Sequence, residues 1–356
     1  MNMKKQVIFM TSREIIRRVI EYRDPPRIGF DFNPPHEKDI LWLPAARLTN
    51  PRFEPFLAWG DYPEIKAQVP GFHGQVHYNL FGNIYGRLKN DSNGECVRGA
   101  LQDGWELLDD YRLPELDLSY YEELKEKDLR GSDRFVLGSL PLSAFSTLRD
   151  ARLMDNALTD TLLEEDNVHR FLDMVTEKLL EIAGHCADVG FDGLIMYDDW
   201  GMQHAPFISP ATFRELFKPV YRRVAEALHA RNMKLFVHSC GLVYSFMEDF
   251  IDAGVDVMQF DQPELSGSEV LAGEFGGRIA FHCPVDIQKI MATGDREKIE
   301  QGAAHMVDSF KKLCGGGLIA KDYPTWEDIE VEQEWADWAR NVILARADLK
   351  GEETHD

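Results

Sequence analysis

A chain of 356 residues in which 44% are hydrophobic can bury a large core, which excludes a disordered protein. Its 39 basic residues face 61 acidic ones for a formal charge of -22, and no basic patch clusters with aromatics; nucleic acid and anionic membrane are thereby excluded as partners. No apolar run approaches the roughly 20 residues that span a bilayer.

The stretch Met1–Met10 carries two lysines and a short apolar patch, without the long h-region or small-residue cleavage site of a signal peptide. Cys96, Cys186, Cys240, Cys283 and Cys314 are scattered and odd in number, as expected for reduced thiols in a cytoplasmic protein.

In chain order, Ile28–Phe32 reads as the first strand, and Ile40–Leu43 is the candidate for a strand that is otherwise missing from the count. Residues 50–130 are rich in Gly, Pro and aromatics, and Gln75–Tyr85 alternates like a hairpin; this segment reads as a cap inserted around one mouth of a barrel. Phe135–Leu140 is the next strand. Residues 167–189 have helical periodicity and stop at Gly190, before the strand Gly193–Tyr197 that runs into Asp198 and Asp199.

Ser209 and Pro210 open a helix with a good N-cap and a residue suited to the first helical position. That helix feeds the strand Lys234–His238. Helix 242–253 ends at Gly254, and Val255–Phe260 leads into Asp261 and Gln262. Arg278–Phe281 ends in His282-Cys283-Pro284, and helix 295–313 leads to the strand Leu318–Ala320, followed by Lys321-Asp322-Tyr323.

Strands alternating with helices indicate parallel pairing through crossovers. Polar residues at nearly every strand's C-terminal end match the functional rim of a (β/α)8 TIM barrel. The predicted organisation is α/β: one barrel over 1–356, with the 50–130 cap inserted near its N-terminus.

On that rim Asp198, Asp199, His238, Cys240, Asp261, Gln262, His282, Cys283, Asp322 and Tyr323 would converge. His238-x-Cys240 is the sharpest pattern. The i, i+2 spacing in a strand aims imidazole and thiolate at one face, and the pair suits zinc. A catalytic site needs a third ligand. Cys283 is the first choice, His282 its competitor, because neighbours on a strand face opposite ways. The same either/or applies to Asp198 and Asp199: one faces the mouth as an acid–base or orienting group, and the other caps a neighbouring backbone.

The run Asp198-Asp-Trp-Gly-Met-Gln-x-Ala-Pro-Phe-Ile-Ser-Pro-x-x-Phe-Arg-Glu-Leu-Phe-Lys-Pro219, with His238-Ser-Cys-Gly241, Ala253-Gly-Val-Asp256 and the opening Thr11-Ser-Arg-Glu-Ile-Ile16, resembles the uroporphyrinogen decarboxylase superfamily. Within it the chain is most similar to the cobalamin-dependent branch, the methylcobamide:coenzyme M methyltransferases. That resemblance implies a (β/α)8 barrel and a zinc site in which His238 and Cys240 match the branch's His-x-Cys pair. The branch's further cysteine falls near Asp322-Tyr323-Pro324, where this chain has none, which leaves Cys283 or an oxygen of Asp322 for the third place. The arginine-rich motif of the porphyrinogen decarboxylases is absent from Ile28-Gly-Phe-Asp-Phe-Asn-Pro-Pro35.

The resemblance therefore implies zinc-dependent methyl transfer between a corrinoid and a thiol or folate-like acceptor. Asp261, Gln262, His282, Asp322 and Tyr323 would contact substrate or cofactor. No Asp-x-His-x-x-Gly pattern occurs, so the methylcobalamin would be supplied by a separate corrinoid protein. The alternatives are a metal-independent decarboxylase-like lyase and a degenerate barrel that only binds a corrinoid or partner.

Overall fold

The computed structural model describes residues 10–89 and 94–349; positions 1–9, most of the stretch read above for a signal peptide, lie outside the described residues. Eight strands form one sheet: β1 (Gly29–Asp31), β2 (Ile40–Pro44), β3 (Phe135–Ser139), β4 (Gly193–Tyr197), β5 (Lys234–His238), β6 (Val257–Gln259), β7 (Ala280–Cys283) and β8 (Leu318–Lys321). Their order is β1-β8-β7-β6-β5-β4-β3-β2, with parallel pairing throughout. The expected barrel is present, and Ile40–Leu43 is indeed one of its strands.

The seam between β1 and β2 is held by Asp39. Its backbone N donates to Phe30 O at 2.7 Å, and its carboxylate accepts from Phe30 N at 2.8 Å and from Ser12 Oγ and Arg27.

Two hydrophobic layers follow from strand alternation. Phe135, Ile195, Phe236, Val257, Ala280 and Ile319 face the barrel interior, while Met258, Phe281, Cys283 and Ala320 pack outward beneath the helices. The interior layer is closed from below by helix α1 (Ser12–Glu21), whose Ile15, Ile16, Val19 and Ile20 lie on one face and are buried against it. Thr11 Oγ1 caps that helix by accepting from Glu14 N. Glycine at position 29 lets α1 pack closely on β1: a Cβ there would stand 2.6 Å from Ile16 Cδ1, which would have to shift. Truncating Ile16 to alanine at this plug would cost about 2–5 kcal/mol.

Further along each strand, in the same phase, one residue faces the interior nearer the C-terminal mouth. These residues are Asp31, Trp42, Ser139, Tyr197, His238, Gln259, His282 and Lys321. An apolar floor therefore carries a polar storey, and that storey is the base of the mouth.

Between β2 and β3 the chain leaves the barrel alternation. Gln75–Tyr78, Ile84–Arg87 and Glu95–Arg98 form an antiparallel three-stranded sheet, and the first two are the arms of the hairpin expected at Gln75–Tyr85. Asn79 Oδ1 accepts from Phe81 N and Asn83 N, and Gly82 takes φ +83°, which together shape the turn. Ile65, Val69, Val76 and Ile84 give this segment its own small core. It leans on helix Ala144–Arg152 through Tyr85 Oη donating to Asp150 at 2.5 Å and Leu101 N donating to Ala151 O at 2.8 Å. Among the described residues, no helix is long and apolar enough to cross a membrane.

Candidate metal centre

Register brings the centre together. His238, the last residue of β5, pairs with Tyr197, the last residue of β4. Two residues further on each chain, Cys240 and Asp199 therefore meet. Cys240 N donates to Asp199 Oδ1 at 2.9 Å, and Gly201 N donates to Cys240 O at 3.1 Å. The two loops touch at glycine. Gly241 has φ +75°, and a Cβ on it would fall 2.1 Å from Gly201 O. Gln262 steadies the turn, its Oε1 accepting from Gly241 N at 3.2 Å.

His238 Nε2 lies 3.3 Å from Cys240 Sγ and 3.3 Å from Asp199 Oδ1. Among the described residues these three are the group of metal-competent side chains whose ligand atoms all lie within 4.8 Å of one another. Ligands of a tetrahedral zinc at roughly 2.0–2.3 Å stand about 3.3–3.7 Å apart, so the donor set and the two separations from His238 fit that ion.

The charges are arranged accordingly. Burial alone would lower the His238 imidazole, but hydrogen bonds to Asp199 and Cys240 outweigh it and push its pKa up to about 10. Burial would raise the Asp199 carboxyl, yet the adjacent imidazole holds it well below the usual carboxylate range. Burial raises the Cys240 thiol, with His238 opposing.

Two expected site residues are not brought to this centre, and strand phase is the reason. Asp198 points the other way from Asp199 and is fully buried. Its carboxylate accepts from Ala144 N, Phe145 N and Ser146 N at 3.1, 3.0 and 2.8 Å, and from Tyr221 Oη at 2.6 Å. It thus caps helix Ala144–Arg152, whose own Ser143 makes no side-chain cap. Burial raises its pKa against the pull of those donors. Trp200 donates to Tyr221 Oη at 2.8 Å and stacks on Phe145 at 4.3 Å, with Phe213 and Phe217 edge-on. Much of the long motif after β4 is therefore an aromatic anchor for the loop that presents Asp199.

Cys283 is the second correction. It follows the interior-facing His282 and so faces outward into the helix-covered core, where burial pushes its thiol up to about 12. Asp199 occupies the third position that the sequence reading offered to Cys283. Asp322 is also committed elsewhere, accepting from Asn33 N and Arg340 Nη2 at 2.8 Å each.

Below the trio lies a cavity of about 390 Å³ lined by Asp31, Asn33, Lys38, Trp42, Tyr197, His238, Gln259, Asp261, His282, Lys321, Asp322, Tyr323 and Pro324. Of the expected binding residues, Asp261, His282, Asp322 and Tyr323 line it and Gln262 does not. Burial keeps His282 below the usual imidazole pKa, and its Nε2 lies 3.1 Å from Asp31 Oδ2. Asp31 also accepts from Trp42 Nε1 at 2.9 Å. Sequence reasoning missed Asp31, Trp42, Tyr197, Gln259 and Lys321 as site residues. All five share the phase of His238, which is the signal that would have found them. A second cavity of about 230 Å³ sits between the cap and the rim, lined by Asn79, Phe81, Tyr85, Ser143, Ser146, Asp150 and others, and Tyr197 lines both cavities.

Comparison with known proteins adds to this geometry. The family model for uroporphyrinogen decarboxylase (URO-D) matches residues 136–320. No curated protein sequence matches the chain. Among solved structures, a methyltransferase from Methanosarcina mazei is similar with a TM-score of 0.62 at 14% identity, over 94% of this chain and 98% of that one. A D-psicose 3-epimerase gives 0.40 at 10% identity, over 68% of this chain and 85% of that one. The B12-independent methionine synthase of Shewanella sp. W3-18-1 gives 0.37 at 11% identity, over 64% and 67%. The first of these likenesses is one of fold, covering nearly the whole of both chains.

Proposed function

The chain belongs to the uroporphyrinogen decarboxylase family, and from that premise we propose that it is a zinc-dependent methyltransferase, moving a methyl group between a corrinoid carried by a separate protein and a small thiol or folate-like acceptor. The observation that carries this reading is the meeting of Asp199, His238 and Cys240 at the mouth of the barrel, with His238 Nε2 3.3 Å from a ligand atom of each of the other two. Three protein ligands leave a fourth position for an acceptor, as in catalytic rather than structural zinc sites. Zinc bound there would supply the positive charge that holds an acceptor thiol as thiolate near neutral pH.

The protein's own residues have distinct tasks. His238, Cys240 and Asp199 would hold the ion; the first two would each have to give up a proton to do so, whereas Asp199 is held ionised beside the imidazole. The cavity under the trio receives the body of a small acceptor against Trp42, Tyr197 and Tyr323. The space between cap and rim, reached past Tyr197, gives the bulky methyl donor its own approach. Asp198 holds helix Ala144–Arg152 and thereby the wall of that approach. The free state of all five cysteines is in keeping with a cytoplasmic setting.

A metal-independent carboxy-lyase is the second reading. It is favoured by Asp31, an ionised carboxylate fixed by Trp42 and Lys38 within the cavity. One experiment separates the two. Zinc is measured in purified protein, and demethylation of added methylcobalamin is followed by absorbance with small thiols present. Near-stoichiometric zinc and thiol-dependent demethylation are expected. Full lyase turnover of a metal-free preparation would replace the first reading with the second.

A further inference from the structure

Gln259 pairs with His238 across β5 and β6, so their side chains enter the barrel side by side. The Gln259 amide bridges two partners. Its Nε2 donates to Asp261 Oδ1 at 2.8 Å, and its Oε1 accepts from His238 Nδ1. Asp261 is tethered in turn by Lys321, whose Nζ lies 2.9 Å from the same carboxylate; the two side chains are 12% and 8% exposed.

The direction of this chain is forced by chemistry. An ionised carboxylate accepts and never donates, so the amide edge facing Asp261 must be the NH2. The oxygen then faces His238, and Nδ1 must carry a proton to donate to it. In the neutral imidazole, the form that can bind a metal, there is one N–H, so Nε2 is then left with its lone pair. Nε2 is the nitrogen that faces Cys240 and Asp199. With the amide reversed, the NH2 would face Nδ1, the proton would move to Nε2, and metal binding would be blocked.

We propose that Lys321 and Asp261 lock the Gln259 amide in the orientation that fixes His238 as a donor at Nδ1 and a metal ligand at Nε2. The three are positioning residues for the centre, and the inference rests on the metal reading given above. Partners of this kind typically change metal affinity by 10–100-fold when removed.

Zinc affinity is measured by chelator competition for the parent protein and for Gln259→Leu, Asp261→Asn and Lys321→Met. Each zinc-loaded protein is also examined by NMR with 15N-labelled histidine. Gln259→Leu and Asp261→Asn are expected to weaken zinc by about 10–100-fold. The parent should show a slowly exchanging Nδ1–H that Asp261→Asn loses. Lys321→Met is the decisive variant. If charge alone mattered, removing a cation near the site would tighten zinc binding; if the lock matters, Asp261 loses its tether and binding weakens. Tighter or unchanged binding in Lys321→Met overturns the lock while leaving the metal centre intact. A parent protein that takes up no zinc overturns the metal reading itself.

Discussion

Adjacent aspartates at the end of β4 should fail in opposite ways. In Asp198→Asn the side chain keeps its shape but loses its charge and one acceptor oxygen. Asp198 receives three helix amides and the Tyr221 hydroxyl, all of them buried. An asparagine oxygen can serve about two of those donors; its NH2 cannot bond to the backbone amides it would face, and could be accepted only by the Tyr221 hydroxyl, whose own proton then loses its partner. Two orphaned buried donors at about 1–3 kcal/mol each, together with the lost carboxylate at a helix N-terminus, amount to roughly 3–5 kcal/mol. An unfolding entropy of about 2.1 cal/mol/K per residue gives roughly 0.75 kcal/mol/K for a chain of this length, so Tm should fall by about 4–7 °C. Asp199 is different: its side chain is 42% exposed and holds one backbone amide besides His238. Asp199→Asn should cost about 1 kcal/mol or less in stability and at least 10-fold in zinc affinity. Calorimetry and metal titration on both proteins test the division. If Asp198→Asn keeps its Tm and loses zinc, the assignment of the two carboxylates is reversed and the phase argument is refuted.

Cys240→Ala should purify without stoichiometric zinc, whereas Cys283→Ala should keep it and lose only about 1–2 kcal/mol from the core; elemental analysis distinguishes them. Two protons leave His238 and Cys240 when metal enters, so apparent zinc affinity should fall by up to about 100-fold for each pH unit below neutrality, as read by chelator competition. In the metal-free protein, the His238 pKa is raised from 6.5 to about 10. Its contribution is therefore complete below pH 6.5 and is lost as pH rises towards 10, and thermal midpoints should decline across that window. Gly241→Ala must force a Cβ against the Gly201 backbone at positive φ, so a loss of about 1–3 kcal/mol and of zinc is expected; a variant that binds zinc normally would show that the two loops need not touch.

Strand identity was readable because apolar runs alternate with amphipathic helices, and the polar ends of the runs marked the mouth. Strand phase was not readable. Leu194-Ile-Met196 and Ala280-Phe281 are apolar at every position, because a parallel strand in this fold is buried against the barrel interior on one face and helices on the other. With no alternation to fix the phase, the choices between Asp198 and Asp199, and between His282 and Cys283, stayed open. The His238-x-Cys240 pair carries its own phase, which is why it is the sharpest pattern in the sequence.

The sequence by itself determined the βα order, the hairpin after β2 and the pairing of an imidazole with a thiol two residues on, since these depend on local periodicity and spacing. The tertiary structure decided the third member of the trio and the membership of the cavity. Asp199 reaches Cys240 only through the register of β4 on β5 and a glycine-to-glycine contact. Asp31, Trp42 and Lys321 share one cavity only because the sheet curls until β1, β2 and β8 become neighbours. Closure of a sheet is a property of all eight strands at once, and no local stretch of sequence encodes it.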